Sequence, residues 1–412
     1  MTTLISNIKL LVNTRGKFQL LRGKELADLP CIQNAFLIIE DDRIAEYGAM
    51  KDVKFRVADF TNHIDGRGKM ILPSWCDSHT HLVFAGSREN EFVDKIKGLS
   101  YAEIAAKGGG ILNSAKKLNA TSEDELYKQS YNRLQDVIAL GTGAVEIKSG
   151  YGLSVEGEIK MLRVIQKLKR NSKIPIKATF LGAHAIPAEY KDNRKGYIDL
   201  IINKMLPIIA KENLADYIDV FCEEGFFTKA ETEQVCNAGK AIGLKSKIHA
   251  NQLSLSGGVQ TGVKLGAISV DHLENMDDDA VNVLSSSSTI GTLLPTAAFF
   301  LRMPYQPARK LVDSNCAVAL ASDCNPGSSP SGNMNFVVAL SCIQMKMLPE
   351  EAINAATLNG AYAMELHNEL GSITVGKKAN LILTKDIPSL AYFPYAFGSN
   401  LIDRIIVDGE LL

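Results

Sequence analysis

Eight short segments rich in apolar and β-branched residues lie between residues 75 and 323, and longer segments of helical period separate most of them. The segments are WCDSHTHLVF, GAVEIKSG, IKATFLGAHA, YIDVFCE, KSKIHAN, AISVDHL, STIGTLLP and CAVALASD. Strands that alternate with helices form a parallel sheet with right-handed crossovers, and eight such units close into a barrel. The pattern therefore predicts an α/β protein with a (β/α)8 barrel of the TIM type.

Both ends of the chain show a different pattern, of short strands without long helical segments. SNIKLLVN and NAFLIIEDDRIAEYG stand near the start, where Asp41-Asp42 between two apolar runs favours a hairpin turn. After a last helical segment, LPEEAINAATLNGAYAMEL, come GSITVGKKANLILTK and RIIVDGELL. We expect the ends, residues 1–68 and 369–412, to pair into one small composite β-sandwich domain, with the barrel, residues 69–368, inserted between them.

Length and composition are compatible with this arrangement and narrow the range of partners. The 412 residues are 46% hydrophobic and 22% charged, and the net charge is -1, so no excess of charge favours nucleic acid. No apolar run reaches the length of a transmembrane helix, and the N-terminus lacks the features of a signal peptide. The seven cysteines form no Cys-x-x-Cys pair, which favours free thiols in a reducing compartment. The sequence thus predicts a cytoplasmic protein that binds neither nucleic acid nor membrane.

Histidines are concentrated where the predicted strands end. His79 and His81 alternate on the first barrel strand, so their side chains share a face and can reach one point in space. A lone His-x-His is more often a strand with two solvent-facing histidines than a metal site. The chain has seven histidines, however, and five of them lie near the C-terminal ends of predicted strands: His79, His81, His184, His249 and His272. That end carries the active site in (β/α)8 enzymes, so the distribution indicates a site on this face.

Three of these histidines and one carboxylate can complete a metal site. His79 and His81 come from strand one, His249 from strand five, and Asp323 from the end of strand eight. Such nitrogen and oxygen ligands suit one divalent ion, Zn or Fe(II), with a water in an open position. The bound water loses its proton near neutral pH, and Asp323 can accept that proton. The alternative role of Asp323 is that of a helix cap or turn residue ahead of Asn325.

The two remaining histidines of this group have other candidate roles. His272, on strand six, can act as a general acid or base, or it can polarise the oxygen of a substrate. A buried structural histidine is the alternative for this position. His184, on strand three, lies too far round the predicted barrel to be an obvious ligand, and we assign it to the substrate.

Seven local runs, in order along the chain, resemble the amidohydrolase superfamily of metal-dependent hydrolases. They are HTHLVFAGSRENEF, AAKGGGI, EIKSGYGL, FLGAHAIP, IHANQLSLSGG, DHLE and SDCNPGSSP. Within that superfamily, the runs are most similar to the enzymes that open the imidazolone ring in histidine degradation. The resemblance implies hydrolysis of the ring C–N bond of 4-imidazolone-5-propanoate to N-formimidoyl-L-glutamate, and it implies a homodimer.

The resemblance also implies substrate-binding positions. Arg88 should bind the propionate of the substrate through its planar guanidinium, the alternative being a surface salt bridge with Glu89 or Glu91. Tyr151 should hydrogen-bond the substrate, unless it is a loop aromatic packed on the barrel rim, and His184 should bind the ring end. The glutamate-like part should be contacted by Asn325, Gly327 and Ser328, where Thr is usual at the last position. Further candidates for the pocket wall are Tyr101 and residues 108–110.

Lys148 and Gln252 separate this prediction from neighbouring subfamilies. Binuclear amidohydrolases carry a carboxylated lysine on strand four, whereas Lys148 lies on strand two and strand four offers Cys222 and Glu223, so we expect one metal. Cytosine and guanine deaminases carry a proton-shuttling Glu at the position of Gln252, which cannot titrate but can hydrogen-bond a ring amide of the substrate. The alternatives left open are another mononuclear amidohydrolase, such as a cytosine/guanine-type aminohydrolase or a cyclic amide hydrolase, and a non-catalytic binding protein.

Overall fold

The computed structural model describes residues 1–99, 103 and 109–412. Two of the pocket candidates, Tyr101 and Gly108, lie outside the described residues. The described strands form two sheets, one parallel and one mixed. In chain order they are β1 (Thr2–Val12), β2 (Cys31–Glu40), β3 (Arg43–Ala49), β4 (Asn62–Asp65), β5 (Met70–Pro73), β6 (Trp75–Thr80), β7 (Thr142–Lys148), β8 (Ile176–Ala183), β9 (Tyr217–Cys222), β10 (Lys245–Ala250), β11 (Ser269–His272), β12 (Ile290–Leu293), β13 (Val318–Leu320), β14 (Leu381–Thr384), β15 (Ile402–Val407) and β16 (Glu410–Leu411).

The parallel sheet contains eight strands, β6 to β13, which lie side by side in the order in which they follow along the chain. The first and last strands approach each other through a bridge between Thr80 and Cys324. Backbone hydrogen bonds run from Asp323 N to the His79 carbonyl (3.0 Å) and from His81 N to the Cys324 carbonyl (2.9 Å). The sheet is therefore a nearly closed barrel, which confirms the predicted fold class.

Helices connect the barrel strands, and further helices follow the last of these strands. They are α1 (Glu89–Ile96), α2 (Gly110–Ala120), α3 (Glu123–Ala139), α4 (Val155–Asn171), α5 (Arg194–Leu200), α6 (Leu206–Glu212), α7 (Lys229–Ala241), α8 (Gly258–Lys264), α9 (Asp278–Ser285), α10 (Pro295–Leu301), α11 (Ala308–Asp313), α12 (Met334–Ile343), α13 (Pro349–Ala356), α14 (Leu358–Ala363) and α15 (Tyr392–Tyr395). Polar residues cap several of them; Ser154, for example, accepts from Gly157 N at the start of α4. Among the described residues, no helix combines the length and the apolar character needed to cross a membrane.

The mixed sheet joins the two ends of the chain. Its strands are ordered β16, β15, β14, β5, β1, β2 and β3, and β4 pairs with β1. β14 runs antiparallel to β5, with Leu381 opposite Pro73, so the last strands of the chain complete a sheet that the first strands begin. β2 and β3 are antiparallel and form the hairpin that Asp41-Asp42 predicts. The domain limits at residues 68 and 369 stay predictions.

The first two barrel strands are buried along their whole length. All six residues of β6 and all seven of β7 are buried, as expected for parallel strands covered by helices. Several polar residues among them are paired. Asp77, for example, accepts from Ser322 N (2.9 Å) and from Ser322 Oγ (2.5 Å), and burial raises the pKa of Asp77 to about 7. This contact fixes β6 next to the loop that follows β13.

Candidate active site

The four side chains predicted as metal ligands meet at the carboxyl end of the barrel. His79 lies in β6 and His81 directly after it, while His249 lies in β10 and Asp323 follows β13. Ring nitrogens of the three histidines lie within 4.8 Å of one another. Oδ1 of Asp323 is 3.6 Å from Nε2 of His79 and 3.5 Å from Nε2 of His81. The structure thus brings together three imidazoles and one carboxylate, and all four side chains are buried.

Several of these nitrogens lack partners within the protein. His79 Nε2, His81 Nδ1 and both ring nitrogens of His249 are buried without a hydrogen bond to any described residue. A buried polar atom without a partner is rare in folded proteins and indicates a missing ligand. Burial lowers the pKa of all three histidines well below its ordinary value, so the rings are neutral, the form in which imidazole binds metals. With Asp323 as a fourth donor, the set fits one Zn²⁺ or Fe²⁺ ion.

Two buried aspartates, to which the sequence pattern assigned no role, lie against the rings of the predicted ligands His79 and His249. Asp271 Oδ2 forms a hydrogen bond of 2.7 Å with Nδ1 of His79, and Asp219 Oδ2 lies 2.9 Å from Nδ1 of His249 in a close contact without hydrogen-bond geometry. A carboxylate at the far nitrogen fixes the tautomer and the orientation of a metal-binding imidazole. The signal in the sequence is an acidic residue inside an apolar strand, in YIDVFCE and AISVDHL, because a buried charge requires a partner.

His272 ends β11 beside the predicted ligands. Its ring centroid is 5.6 Å from that of His79 and 5.2 Å from that of His249. Its Nδ1 is 3.5 Å from Oε1 of Glu274, and Gln306 donates to the same oxygen (2.8 Å). Burial alone lowers the pKa of His272, but the neighbouring carboxylates, Glu274 foremost, raise it above its ordinary value. His272 is therefore placed to donate a hydrogen bond or a proton towards the cluster.

The backbone turns sharply at or shortly after three barrel strands of this site. The φ angle is +54° at Asn251, +87° at His272 and +51° at Asp323. Left-handed backbone in residues other than glycine costs free energy and is concentrated at functional sites. At Asp323 the left-handed backbone lies at the residue whose side chain meets the cluster. The bend of the chain there places Asp323 beside the two histidines of the first strand.

Arg88 lies in the loop after β6, next to the loop that follows β13. Its Nε donates to Ser114 Oγ (2.9 Å), whereas Oε1 of Glu91 lies 3.8 Å from Nε, beyond hydrogen-bonding distance. Nη2 is buried without a hydrogen-bond partner among the described residues. A Cβ atom added to Gly327 would collide with Nη1, so this glycine allows the guanidinium to approach the loop. Arg88 thus has a free donor for a ligand.

Asn325 shapes the loop of residues 325–328. Its Oδ1 accepts from the backbone N of Gly327 and of Ser328, both at 2.8 Å. Its Nδ2 donates to the Asp323 carbonyl and to Ser328 Oγ, both at 2.7 Å. Ser328 Oγ also lies 3.3 Å from Oδ2 of Asp323. The predicted substrate-binding groups of this loop are therefore already engaged with one another, which fixes the loop against the predicted ligand Asp323.

His184 and Tyr151 pack against the cluster from the ends of β8 and β7. The ring of His184 stacks on that of His81 at a centroid distance of 5.5 Å, and Tyr151 contacts both rings edge-on, at 5.7 and 5.5 Å. His184 Nδ1 lies 3.0 Å from the Gly150 carbonyl, which leaves Nε2 for a ligand. Burial lowers the pKa of His184 to about 4, so the ring is neutral. His184 therefore lies nearer the predicted ligands than its place in the strand order indicates.

Gln252 lies in the loop after β10, and neighbouring side chains hold the backbone of this loop. Asn275 Nδ2 donates to the Gln252 carbonyl (2.8 Å), and Leu253 N donates to Oε2 of Glu223 (2.9 Å). Gln252 itself is 9% exposed. The backbone that carries the predicted ring-binding amide is thus fixed, while the contact itself stays a prediction.

Comparison with known proteins agrees with this arrangement. Residues 70–412 match the model of the amidohydrolase family. The chain is 59% identical over 413 residues to an imidazolonepropionase of Flavobacterium johnsoniae and 57% identical over 413 residues to one of Christiangramia forsetii. Both alignments cover 100% of this chain and 100% of the relative. The chain belongs to the amidohydrolase family.

Solved structures show the same architecture as this amidohydrolase. E. coli guanine deaminase superposes with a TM-score of 0.75 at 15% identity, covering 100% of this chain and 99% of the deaminase. A triazine hydrolase variant superposes with a TM-score of 0.73 at 14% identity, covering 100% of this chain and 94% of the other. At such low identity the likeness concerns the fold alone, and it agrees with a barrel joined to a separate sheet.

Lys148 of this amidohydrolase takes part in ion pairs at the base of the site. Its Nζ lies 2.6 Å from Glu146 Oε1 and 2.8 Å from Asp219 Oδ2. Glu223, the carboxylate that strand four offers, accepts from Leu253 N and from Ser254 Oγ. Both residues therefore have protein partners, and the groups of described side chains that could hold a metal all include His79. These contacts favour the prediction of one metal.

Proposed function

We propose that the chain hydrolyses 4-imidazolone-5-propanoate to N-formimidoyl-L-glutamate, a reaction of histidine degradation. The observation that carries the proposal is a buried cluster of three histidines and one aspartate that lies next to an arginine with a free buried donor, Arg88 Nη2. The end-to-end identity to proteins named imidazolonepropionase supports the same reaction. A metal ion held by this cluster would supply hydrolytic chemistry, and the arginine would bind a carboxylate.

The residues that would hold the metal are His79, His81, His249 and Asp323. One divalent ion, either Zn²⁺ or Fe²⁺, suits this donor set. When bound, such an ion would lower the pKa of a coordinated water to about 7, so that the water can act as a nucleophile. The unpartnered ring nitrogens support this assignment. Metal analysis of the purified protein by mass spectrometry tests it and distinguishes zinc from iron.

Arg88 and the loop of residues 325–328 bind the propionate end of the substrate in this proposal. The guanidinium offers a carboxylate a bidentate partner, and its Nη1 already lies against Gly327. Ser328 and Asn325 lie between this position and Asp323. The propionate would therefore be held at one side of the cluster, with the ring directed towards the predicted ligands.

Tyr151, His184 and Gln252 orient the ring. The stacked ring of His184 donates from Nδ1 to the Gly150 carbonyl, so that Nε2 of the neutral ring can accept a hydrogen bond from the imidazolone. The Tyr151 hydroxyl can hydrogen-bond the substrate, because burial raises the pKa of Tyr151 and keeps the phenol protonated. The Gln252 amide can donate to one group of the ring and accept from another. Together these contacts hold the ring carbonyl in one orientation for attack.

The reaction adds water across one bond of the ring. The oxygen of water attacks the ring carbonyl carbon, the bond from that carbon to the ring nitrogen breaks, and the nitrogen takes up a proton. Asp323 accepts the proton of the attacking water and can return it to the leaving nitrogen. His272 stabilises the oxyanion that develops at the carbonyl oxygen, supported by Glu274.

The proposed reaction is tested by measuring the consumption of substrate and the release of ammonia separately. Purified protein should consume 4-imidazolone-5-propanoate and form N-formimidoyl-L-glutamate without releasing ammonia. A deaminase would instead release ammonia from guanine or cytosine, but Gln252 cannot serve as the titrating proton shuttle such a reaction needs. Ammonia release from either base, with no loss of the imidazolone, would contradict the proposal.

We further propose a cytoplasmic homodimer. All seven cysteines are free thiols in the structure, which supports a reducing compartment. The dimer rests on the resemblance to the family, and light scattering of the purified protein measures it directly.

A further inference from the structure

Lys148 is a completely buried lysine on β7 that no step of the proposed reaction uses. Its Nζ lies 2.6 Å from Glu146 Oε1, 2.8 Å from Asp219 Oδ2 and 3.4 Å from Asp271 Oδ2. Burial alone lowers the pKa of Lys148, but Asp219, Glu146 and Asp271 together raise it well above its ordinary value. The side chain is thus an ammonium ion in the barrel interior, surrounded by three carboxylates from three different strands.

Two of these carboxylates are the ones that contact the ligand histidines. Asp219 uses the same oxygen, Oδ2, for Lys148 and for Nδ1 of His249. Asp271 likewise uses its Oδ2 for Lys148 and for Nδ1 of His79. The other oxygen of each aspartate is occupied, by His249 N (3.1 Å) and by Ser269 Oγ (2.6 Å), respectively. The ammonium of Lys148 therefore contacts the same two carboxylate oxygens that contact the rings of two predicted ligands, His79 and His249.

We propose that Lys148 is the positioning residue of the metal centre, because it holds both aspartates in the places from which they fix His79 and His249. The inference rests on the metal site of the proposed function. Without the ammonium, the carboxylates of Asp219 on β9 and Asp271 on β11, on either side of β10, would face each other in a region of low dielectric, and their repulsion would turn them away from the rings. A single substitution at Lys148 would then loosen two ligands at once.

Lys247 on β10 provides the matched control. It is also completely buried, and it forms an ion pair with Glu146 and donates to the Ser78 carbonyl (3.1 Å) and the Ala363 carbonyl (3.3 Å). Among the ion pairs of the described residues, Lys247 contacts neither Asp219 nor Asp271. Burial alone raises the pKa of Asp271, and the charge of Lys148 and, after it, that of Lys247 lower it, so the two lysines differ in direct contact with the aspartates. Replacement of either lysine by Met removes one buried charge at nearly constant volume, but only one of the two replacements removes the support of the ligand rings.

The test measures metal affinity in the full-length protein. Lys148→Met and Lys247→Met are stripped of metal, and the Kd for Zn²⁺ is measured by competition with a chromophoric chelator. Loss of an outer-shell partner typically weakens metal binding about 10- to 100-fold, and we expect at least this loss for Lys148→Met. Lys247→Met should change the Kd by less than about threefold, although both variants should lose thermal stability because each removes one of the two ammonium partners of the buried Glu146.

A spectroscopic measurement separates positioning from general destabilisation. The visible spectrum of the Co²⁺-loaded protein reports the ligand geometry, and it should change in Lys148→Met and stay as in the wild type in Lys247→Met. Equal weakening of Zn²⁺ binding in the two variants, or an unchanged Kd and spectrum in Lys148→Met, overturns the proposal. Where Lys148→Met yields no folded protein, Lys148→Gln and Lys247→Gln are compared by the same criteria. Wild-type protein that binds Zn²⁺ but does not hydrolyse the imidazolone contradicts the proposed function and leaves this inference standing.

Discussion

The site has two layers that are held in place by different contacts. The floor is the set of buried side chains on or beside barrel strands: His79, His81, His249, Asp323, Asp219 and Asp271. The rim is the set of side chains at the strand ends and on the loops that surround the floor: Arg88, Tyr151, His184, Gln252, Asn325, Gly327 and Ser328. In the floor, side chains from different strands fix one another. In the rim, most fixing contacts are made with loop backbone.

This difference indicates how the two layers respond to change. A floor residue takes part in a closed set of buried contacts, so removal of one group leaves another buried polar group without a partner. A rim residue is attached to a loop that can shift by fractions of an ångström, so removal weakens one contact to the substrate. We therefore expect floor substitutions to abolish turnover and metal binding, and rim substitutions to change KM.

The largest effect is expected in the floor. His79→Ala should lower turnover by at least about three orders of magnitude and abolish stoichiometric metal binding, because it removes one donor of the metal site. Turnover and metal content per chain are measured together. His63→Ala serves as the control, since His63 is an exposed histidine of the mixed sheet. Full activity and metal content in His79→Ala would refute the assignment of the floor.

The next largest effect is expected at Arg88. Arg88→Met should lower kcat/KM by about 100-fold, mainly through KM, because a charge-assisted contact to the propionate is lost. Metal content should stay unchanged, which separates the rim from the floor. A substrate analogue without the propionate carboxylate should be processed equally by variant and wild type. A variant that discriminates against the analogue as strongly as the wild type does would show that Arg88 does not bind this group.

A smaller effect is expected where the rim loop meets Arg88. Gly327→Ala places a methyl group against Nη1 of Arg88, and the displaced guanidinium should raise KM about tenfold, with little change in Tm because the end of a long side chain can move. Gly332→Ala in the same loop region is the matched control, because its added Cβ meets Val137 instead. Gly332→Ala should lower Tm and leave KM unchanged. A raised KM in Gly332→Ala together with an unchanged KM in Gly327→Ala would contradict the close approach of Arg88 to Gly327.

The smallest effect is expected at Ser328. Ser328→Thr retains the hydroxyl that Asn325 contacts, so kcat/KM should stay within about twofold of the wild type. Ser328→Ala removes the hydroxyl and should lower kcat/KM several-fold. Steady-state kinetics of both variants distinguish a polar role of this position from a purely steric one. Equal loss in both variants would favour the steric role.

The sequence allowed prediction of the barrel and of the meeting of the four predicted ligands at one end of it, because both depend on local pattern. Alternation places His79 and His81 on one face of a strand, and the strand order brings His249 and Asp323 to the same end of the barrel. The support by Asp219 and Asp271 depends instead on the register between strands, in which His249 lies opposite Phe221 of β9. Such pairings between side chains of different strands are set by three-dimensional packing, and no regular spacing of residues along the sequence indicates them.

His184 shows a second limit of reading strands in order. Counting strands places it two positions from His81 around the barrel, yet the two rings stack at 5.5 Å. In an eight-stranded barrel, inward-pointing side chains from different strands fill one narrow interior. Distance along the strand order therefore overestimates distance across the mouth of the barrel for large side chains.

The pairing of β5 with β14 has a consequence for how the chain is made. Leu72 and Ile382 are opposite each other in the mixed sheet, and at about 5–20 residues per second a ribosome needs roughly 15–60 s to synthesise the chain between them. During that interval β5 has β1 on one side and an open edge on the other. Unpaired edges can join the strands of other chains. The final strands thus close the edge at which a newly made chain is most exposed to aggregation.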